Sequence, residues 1–225
     1  MDPVIEGAEF ARERIVSDDA AGLCAVWAAQ PGVYPRVKHQ RGSAMYIFSG
    51  DATVYDKDGT PHEIHEGSIL VLPYRWEGRW EIHRTIRKVY IHSWPTGEPP
   101  SVPALGVSLS GIEASQDSLA EPLPVSVHRG GFPDALARVI TDGVDGLCVI
   151  AKLGVGSHPV SDGTRAMNAY LLEGEASLDG PTGQQVELRT GSVAVVPAGW
   201  AGTWNVKRPL RAFLFFTQPR EEWPA

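Results

Sequence analysis

The sequence predicts an all-β protein made of two tandem copies of one small domain. Short apolar or alternating segments follow one another, separated by Gly, Pro, Asp or Asn at intervals of about eight to twelve residues. The pattern recurs at an offset of 124 residues. Neither copy sustains the period of an amphipathic helix in its core. Many short strands in a domain of this size indicate a jelly roll, a sandwich or a small barrel.

The internal repeat runs without a gap from Gly22 to Arg87 of the first copy. Glycine, proline and tryptophan stay in register over this stretch, which chance similarity would not achieve. The sequence therefore indicates a tandem duplication. The matched pairs include Gly22 and Gly146, Arg41 and Arg165, Gly50 and Gly174, Pro73 and Pro197, Trp76 and Trp200, Gly78 and Gly202, and Trp80 and Trp204.

The duplication predicts one domain at 1–100 and a second at 125–225. The segment 101–124 between them is rich in Pro, Ser and Gly. We therefore expect it to be a linker, partly extended, with one short strand around Val107. In the second copy a helix is predicted only near Phe132–Thr141, where helix-forming residues follow a proline.

The strands of the first copy are predicted from alternation and from the turns between them. The DKDG sequence at Asp56–Gly59 supplies a hairpin turn, and PTG occupies the same place in the second copy. The predicted strands are Leu23–Ala29, Ala44–Phe48, Ala52–Tyr55, Ile69–Leu72, Arg79–His83 and Arg87–His92.

Composition limits the kinds of partner. The 225-residue chain has a formal net charge of -7 and a pI of about 5.5, so we expect no nucleic acid and no anionic membrane as partner. No apolar run approaches the ~18–20 residues of a membrane-spanning helix, and the first residues lack the apolar core of a signal peptide. Two cysteines fit a reducing compartment. These features predict a soluble, cytoplasmic protein.

In each copy a strand that ends in glycine, Gly50 or Gly174, leads into a hairpin. A Gly-Ser-apolar-Pro run follows, GSILVLP or GSVAVVP, and then Gly-x-Trp, GRW or GTW. This order resembles the cupin superfamily, and its double occurrence resembles a bicupin. The Gly-x-Trp ending and the basic strand after it are similar to the subfamily of ureidoglycine aminohydrolase-like and ethanolamine-utilisation-like cupins. The resemblance implies two tandem double-stranded β-helix, or jelly-roll, barrels.

The resemblance also places the family's four metal-ligand positions. In the first copy they fall on Val37, His39, Ser43 and Gly78. In the second copy they fall on Ser161, Gly163, Met167 and Gly202. A catalytic transition metal needs about three converging protein ligands, and one histidine does not supply them. We therefore predict no bound metal and no other cofactor.

His39 is the candidate catalytic residue, as a general acid/base or a ligand-orienting group beside Ser43. The alternative is a loop histidine without a role. Strand alternation and the resemblance place other side chains inside the barrels or at their mouths. These ligand-binding candidates are Arg41, Ser43, Met45, Trp80, His158, Arg165, Met167 and Trp204.

Three of these expectations have a definite structural content. Glycine at the ligand positions 78 and 202 is expected to leave room in each barrel, which the tryptophan two residues later partly fills. His158 is expected in a loop that covers the second cavity. Arg41 and Arg165 are expected either to bind an anionic ligand group or to pair with the repeated acids Glu63 and Glu187.

Three functions remain open from the sequence. The leading hypothesis is a metal-independent bicupin that binds a small organic metabolite in an apolar, aromatic pocket. The second is a small-molecule enzyme of the hydrolase, lyase or isomerase type that uses acid/base groups alone. The third is a structural or regulatory partner protein. A homodimer is possible by the general frequency of two-fold oligomers, and the first copy is slightly favoured as the active one because it keeps His39.

Overall fold

The computed structural model describes residues 6–7, 11–19, 22–38, 41–93, 105–108, 135–143, 146–160 and 165–217. The chain separates into two compact units, Met1–Ala114 and Ser115–Ala225. Within the described ranges every regular element is a β-strand, and all strand pairs are antiparallel. None of these residues belongs to a helix that could cross a membrane. The expected fold class, two all-β jelly-roll barrels in tandem, is confirmed.

The N-terminal barrel is a nine-stranded sheet. Its strands are β1 (Glu6–Gly7), β2 (Ala11–Asp19), β3 (Gly22–Ala29), β4 (Gly32–Val37), β5 (Gly42–Asp56), β6 (Pro61–His65), β7 (Ser68–Leu72), β8 (Glu77–Ser93) and β9 (Leu105–Ser108). The long strand β8 pairs with β4 along its first half, with β3 along its second half and with β5 along both. Side chains from both halves therefore meet in one apolar core.

The C-terminal barrel repeats this arrangement with seven strands. They are β10 (Leu136–Gly143), β11 (Gly146–Leu153), β12 (Gly156–Val160), β13 (Met167–Asp179), β14 (Gln185–Arg189), β15 (Val193–Val196) and β16 (Gly202–Phe216). Its central strand β16 pairs with β11, β12 and β13, as β8 pairs with β3, β4 and β5. The registers agree at the sequence offset of 124 residues. The duplication seen in the sequence therefore extends to the pairing of individual residues in the structure.

Two of the repeated glycines explain why segments predicted as separate strands form single long strands in the structure. The predicted segments Ala44–Phe48 and Ala52–Tyr55 are both part of β5, which passes through Gly50 at φ 90°. Register shifts mark a bulge there, and a Cβ on Gly50 would overlap the backbone of Thr85 and Ile86. A bulge of this kind bends a strand without ending it. Gly174 does the same in β13 at φ 94°.

The predicted helix near Phe132–Thr141 is wrong, because Leu136–Gly143 forms strand β10. The alternation is visible in the burial, since Ala135 and Ala137 are buried while Leu136 is exposed. Here the pairing with β11 outweighs the helix propensity of the alanines and the leucine.

The strand expected around Val107 is confirmed as β9, which pairs with β7 of the N-terminal barrel. That sheet therefore extends into the segment predicted as a linker. The rest of 101–124 lies outside the described residues.

Candidate ligand-binding site

Three cross-strand rows of side chains line the inner face of the N-terminal barrel. Row one contains Trp27, Lys88 and Ile47, and it ends at the exposed Glu13 of strand β2. Row two contains Ala25, Tyr90, Met45 and Leu70. Row three contains Leu23, His92, Ser43 and Leu72. Because inward positions alternate along a strand, neighbouring rows are about 6–7 Å apart.

Lys88 is a basic residue in the middle of this face, and 9% of its surface is exposed. Its Nζ lies over the rings of Trp80, Trp27 and Tyr90, at 4.0, 4.6 and 5.8 Å from their centroids. The same atom lies 3.3 Å from Sδ of Met45, which is its only hydrogen-bond acceptor among the described residues. The amine is therefore enclosed by aromatic faces and one thioether.

This surrounding favours the uncharged form of Lys88. An ammonium ion needs strong oxygen acceptors when it leaves water, and a thioether is a weak one. Burial lowers the pKa of Lys88 well below its usual range, and the positive charges of Lys38 and Arg36 lower it further. Glu13 acts in the opposite direction.

His92 is held neutral beside Lys88. Burial lowers the pKa of His92 to about 2, and Lys38, Lys88 and Arg41 add to the effect. Lys38 Nζ donates a hydrogen bond to Nε2 of His92 at 3.1 Å. An ammonium group can only donate, so this bond leaves the ring proton on Nδ1.

Tyr90 links row two to Glu13 at the end of row one. Its hydroxyl donates a hydrogen bond to the carboxylate of Glu13. Burial raises the pKa of Tyr90, and the bond to Glu13 raises it further. The hydroxyl therefore keeps its proton, and the carboxylate of Glu13 is engaged by Tyr90.

Ser43 adds a polar atom at row three. It is 2% exposed, and its buried Oγ has no hydrogen-bond partner among the described residues. Ser43 lies opposite His92 in the β5–β8 register. A buried hydroxyl without a partner is a group that an added ligand or water would satisfy.

Basic side chains gather around these rows. Lys38 bonds to His92, and Arg36 and Arg41 act electrostatically on Lys88 and His92 respectively. Arg41 also lies 3.9 Å from Asp18, where Nη1 faces Oδ1. This part of the N-terminal barrel therefore has a positive field inside a chain of net charge -7.

The C-terminal barrel has apolar residues at every matching position. They are Ala137, Ala151, Ala212 and Leu171 in row one, Val149, Leu214, Ala169 and Ala194 in row two, and Leu147, Phe216, Met167 and Val196 in row three. All of them belong to one buried apolar cluster. The lysine, the histidine and the two large rings of the first barrel have no counterpart, so the second interior resembles an ordinary core.

The residues at the family's metal-ligand positions do not fit a metal. In the first barrel Ser43 and Gly78 replace ligands, and in the second Met167 and Gly202 do. A Cβ on Gly78 would overlap the Tyr55 carbonyl and the ring of Trp76, so no larger side chain fits there. Among the described residues no three His, Cys, Asp or Glu side chains are grouped as a metal site requires.

The same geometry corrects an expectation about space. The room beside Gly78 is filled by Trp76 and that beside Gly202 by Trp200, whose rings would meet an added Cβ. Trp76 is fixed there because its Nε1 donates to Oδ1 of Asp56 at 2.5 Å. These glycines therefore accommodate a packed tryptophan and do not open a cavity.

His39 lies outside the described residues. Of the other predicted site residues, the structure brings Ser43, Met45 and Trp80 together around the three rows of the N-terminal barrel. Arg41 lies in the basic group beside them.

The predicted residues of the second copy are differently placed. Met167 and Trp204 are buried in the apolar cluster of the C-terminal barrel. Arg165 is half-buried, and its Nη1 has no hydrogen-bond partner among the described residues. No charged or aromatic row like that of the first barrel lies with them in the described part of this unit.

His158 is on strand β12 and not in a loop, which corrects the expectation that it covers the second cavity. Its side chain is buried, and Nε2 donates to the carbonyl oxygen of Gly154 at 2.9 Å. The repeat-equivalent Tyr34 donates in the same way to the carbonyl of Gln30. Both side chains therefore brace the same turn.

The alternative pairing of Arg41 with Glu63, and of Arg165 with Glu187, is also wrong. Glu63 accepts from the hydroxyl of Thr53, and Glu187 pairs with Lys207 at 2.6 Å. The repeated acids lie on the hairpin strands β6 and β14, where the neighbouring strands supply their partners.

Sequence analysis did not identify Lys88, Trp27, Tyr90 and Lys38 as site residues. A signal was present, because Lys88 interrupts an apolar strand at a position where the second copy has Ala212. His92 lies half-buried beside Lys38. Comparing the two copies position by position would have selected these residues.

The comparisons with known proteins agree with this fold. The family model of the EutQ-like cupin domain matches residues 16–90 and 146–212. AerE from Microcystis aeruginosa has a TM-score of 0.69 at 10% identity, with 96% of this chain and 98% of that chain covered. No curated protein matches the chain.

Two further solved structures have the same fold. A protein described as glyoxylate-induced, from Pseudomonas aeruginosa, has a TM-score of 0.68 at 12% identity, covering 96% and 83% of the two chains. A cupin 2 conserved barrel domain protein from Leptotrichia buccalis has a TM-score of 0.65 at 11% identity, covering 94% and 91%. With both halves matched by one family model, the chain belongs to the EutQ-like cupin family, as a bicupin.

Proposed function

We propose that this protein binds a small organic anion in its N-terminal barrel without a metal ion. The observation that carries the proposal is the buried Lys88, enclosed by Trp27, Trp80 and Tyr90 in one barrel and replaced by Ala212 in the other. A polar interior costs folding stability, so its presence in one copy of a duplicated core favours a functional reason.

The charges favour an anionic ligand. Lys38, Arg36 and Arg41 contribute positive charge around rows one to three, and the nearby Glu13 is engaged by Tyr90. Lysine and arginine are the usual partners of carboxylate and phosphate groups, and the aromatic walls suit an organic body. A small carboxylate has both features.

Metal-independent binding is part of the proposal. The ligand positions that the structure describes hold Val37, Ser43 and Gly78 in this barrel, none of which is a competent partner for a transition metal here. The cations described above take the place of a metal as the source of positive charge.

Several earlier expectations stay predictions beside this proposal. They are a role for His39, the cytoplasmic location, a homodimer, and the absence of nucleic-acid and membrane partners. Ligand binding by Arg165, Met167, His158 or Trp204 in the second barrel also stays a prediction. The apolar rows there favour the first barrel as the site.

Titration calorimetry in buffer containing EDTA tests the proposal. The probes are acetate, pyruvate, succinate and benzoate, each compared with its neutral amide. We expect at least one carboxylate to bind and its amide to bind more than about tenfold less tightly, since a lost charge-assisted hydrogen bond costs about 1.5–3 kcal/mol. Binding that disappears with EDTA, or equal binding of acid and amide, would contradict it.

Matched variants locate the site. Lys38→Gln removes a cation beside His92, and we expect it to weaken carboxylate binding about tenfold. Lys207→Gln removes an exposed lysine of the second barrel and should leave binding unchanged. His39→Ala in the same titration tests the role predicted for His39. Equal losses in the two lysine variants would place the site elsewhere.

A further inference from the structure

The amine of Lys88 is the nucleophile of row one, and no carboxylate or other oxygen atom among the described residues lies within hydrogen-bond distance of its Nζ. Its hydrogen-bond acceptor among the described residues is the thioether of Met45, and its other contacts are ring faces. Glu13 is the acid that acts on it electrostatically, but it forms no ion pair with Nζ of Lys88 and accepts a hydrogen bond from Tyr90. A lysine that is desolvated and close to other cations is the arrangement that makes an amine nucleophilic at neutral pH.

We propose that Lys88 forms a covalent imine with a small 2-oxo carboxylate bound in the N-terminal barrel. This inference rests on the proposed function and names the ligand class of the same site. The carbonyl carbon is the group that reacts, and the carboxylate beside it is the group that the basic residues hold.

The spacing of the rows suits such a ligand. Nζ of Lys88 reaches Met45 in row two, and Nζ of Lys38 reaches His92 in row three. Two positions along a strand correspond to about 6–7 Å. In a 2-oxo acid the carboxylate and the carbonyl carbon are directly bonded, so one small ligand can face both of these neighbouring rows.

The chemistry balances without any further reagent. The lone pair of the Lys88 nitrogen attacks the carbonyl carbon, and a proton moves from nitrogen to the former carbonyl oxygen. That oxygen then leaves as water with the second amine proton, and the carbon–nitrogen double bond forms. No oxidant or reductant takes part, and neutral Lys88 is the form that can begin the reaction.

Reductive trapping tests the imine on the full-length protein. The protein is incubated at pH 7 with pyruvate and sodium cyanoborohydride, and intact and peptide masses are measured. We expect one adduct per chain, at Lys88, with the mass of pyruvate less one oxygen. An ordinary lysine has less than about one amine in a thousand unprotonated at pH 7, so Lys88 should react more than about a hundredfold faster than the exposed lysines.

Two variants and a competitor locate the reaction. Lys88→Met should abolish the adduct, and Lys38→Gln should slow its formation about tenfold while leaving Lys88 as the modified residue. Lys207→Gln should change nothing. Acetate has no ketone or aldehyde carbon and should slow trapping by competition. Circular dichroism of each variant verifies that the fold is retained.

The outcomes separate the two proposals. If pyruvate binds in calorimetry but labels surface lysines as readily as Lys88, the imine is wrong and anion binding stands. If Lys88 is labelled equally fast by pyruvate and by neutral propanal, and acetate does not compete, the nucleophile stands and the anion-binding proposal fails. If pyruvate neither binds nor labels Lys88, the imine proposal is overturned.

Discussion

Nζ of Lys88 lies 3.3 Å from Sδ of Met45 in the interior of the N-terminal barrel, and both residues have alanine as their repeat-equivalent. Ala212 and Ala169 occupy the same register positions of the C-terminal barrel, inside its apolar cluster. The two copies therefore have the same backbone arrangement and differ in the side chains inside it. This contrast defines the first prediction.

Lys88→Met should stabilise the folded protein. Lys88 has a lowered pKa in the folded state, so at neutral pH the unfolded chain binds a proton that the folded chain does not, and unfolding is favoured. Replacing buried ionic groups with well-packed apolar residues of similar size is often neutral or stabilising by about 1–4 kcal/mol. Urea denaturation at pH 7 should show a higher midpoint for the variant.

The gain should shrink as pH rises toward the pKa of an ordinary lysine, about 10.4, because the unfolded chain then loses its proton as well. Lys207→Met, at an exposed position, is the matched control and should change the midpoint little. A variant less stable than the wild type at pH 7 would mean that Lys88 stabilises the core as an ammonium ion over the rings.

His92→Phe should make the protein less sensitive to acid. The pKa of His92 is lowered to about 2 by burial and by Lys38, Lys88 and Arg41, below the value of about 6.5 in the unfolded chain. Between these values the unfolded chain binds a proton that the folded chain does not. Stability is therefore lost as pH falls from about 6.5, by up to about 1.4 kcal/mol per pH unit.

The phenylalanine is the residue that the second copy has at this position, Phe216. Unfolding free energies measured at pH 7, 5.5 and 4 should fall less steeply in His92→Phe than in the wild type. His65→Gln, which changes a histidine at the hairpin, is the control and should keep the wild-type slope. Identical slopes in all three proteins would show that His92 titrates normally.

Gly78→Ala should destabilise the N-terminal barrel. The added Cβ would overlap both the carbonyl oxygen of Tyr55 and the ring of Trp76, and Trp76 is anchored by Asp56. Overpacking of this kind costs about 1–3 kcal/mol. Gly154→Ala is the matched control, since its Cβ would meet nothing within 4 Å. Thermal unfolding should separate the two variants, and an equal effect would contradict the packing of Trp76.

The purified protein should contain close to no transition metal per chain. The reason is the donor set, since Ser43 and Gly78 stand where the resemblance places metal ligands. Elemental analysis of protein prepared without an affinity tag or chelator measures this directly. One metal per chain that survives dialysis, and whose removal by EDTA abolishes ligand binding, would show that ligands converge from other positions.

Much of the fold could be predicted because it depends on local features. Alternation located most of the strands, and repeated glycines and prolines located the turns. The errors have local causes as well. The bulge at Gly50 made one strand look like two. The Ala-Leu-Ala sequence at 135–137 resembles a helix until the partner strand of β10 is known.

The site was less predictable because it depends on pairing between distant residues. Trp27 and Lys88 are neighbours only through the β3–β8 register, and a lysine in a strand is ordinarily a solvent-facing residue. The family resemblance pointed instead to the positions where the family holds its metal. Of these positions, Gly78 has the ring of Trp76 packed against it, and His39 lies outside the described residues.

The alanines of the second barrel also limit how the duplicated halves can evolve. A lysine at position 212 would lack the aromatic faces that Trp27 and Tyr90 provide in the first barrel, so its buried amine would meet fewer ring faces and more alkyl groups. A tryptophan at position 151 alone would overpack a closed core. Each single step of the second barrel toward the polar interior of the first is therefore unfavourable, so packing alone is enough to keep the second interior apolar.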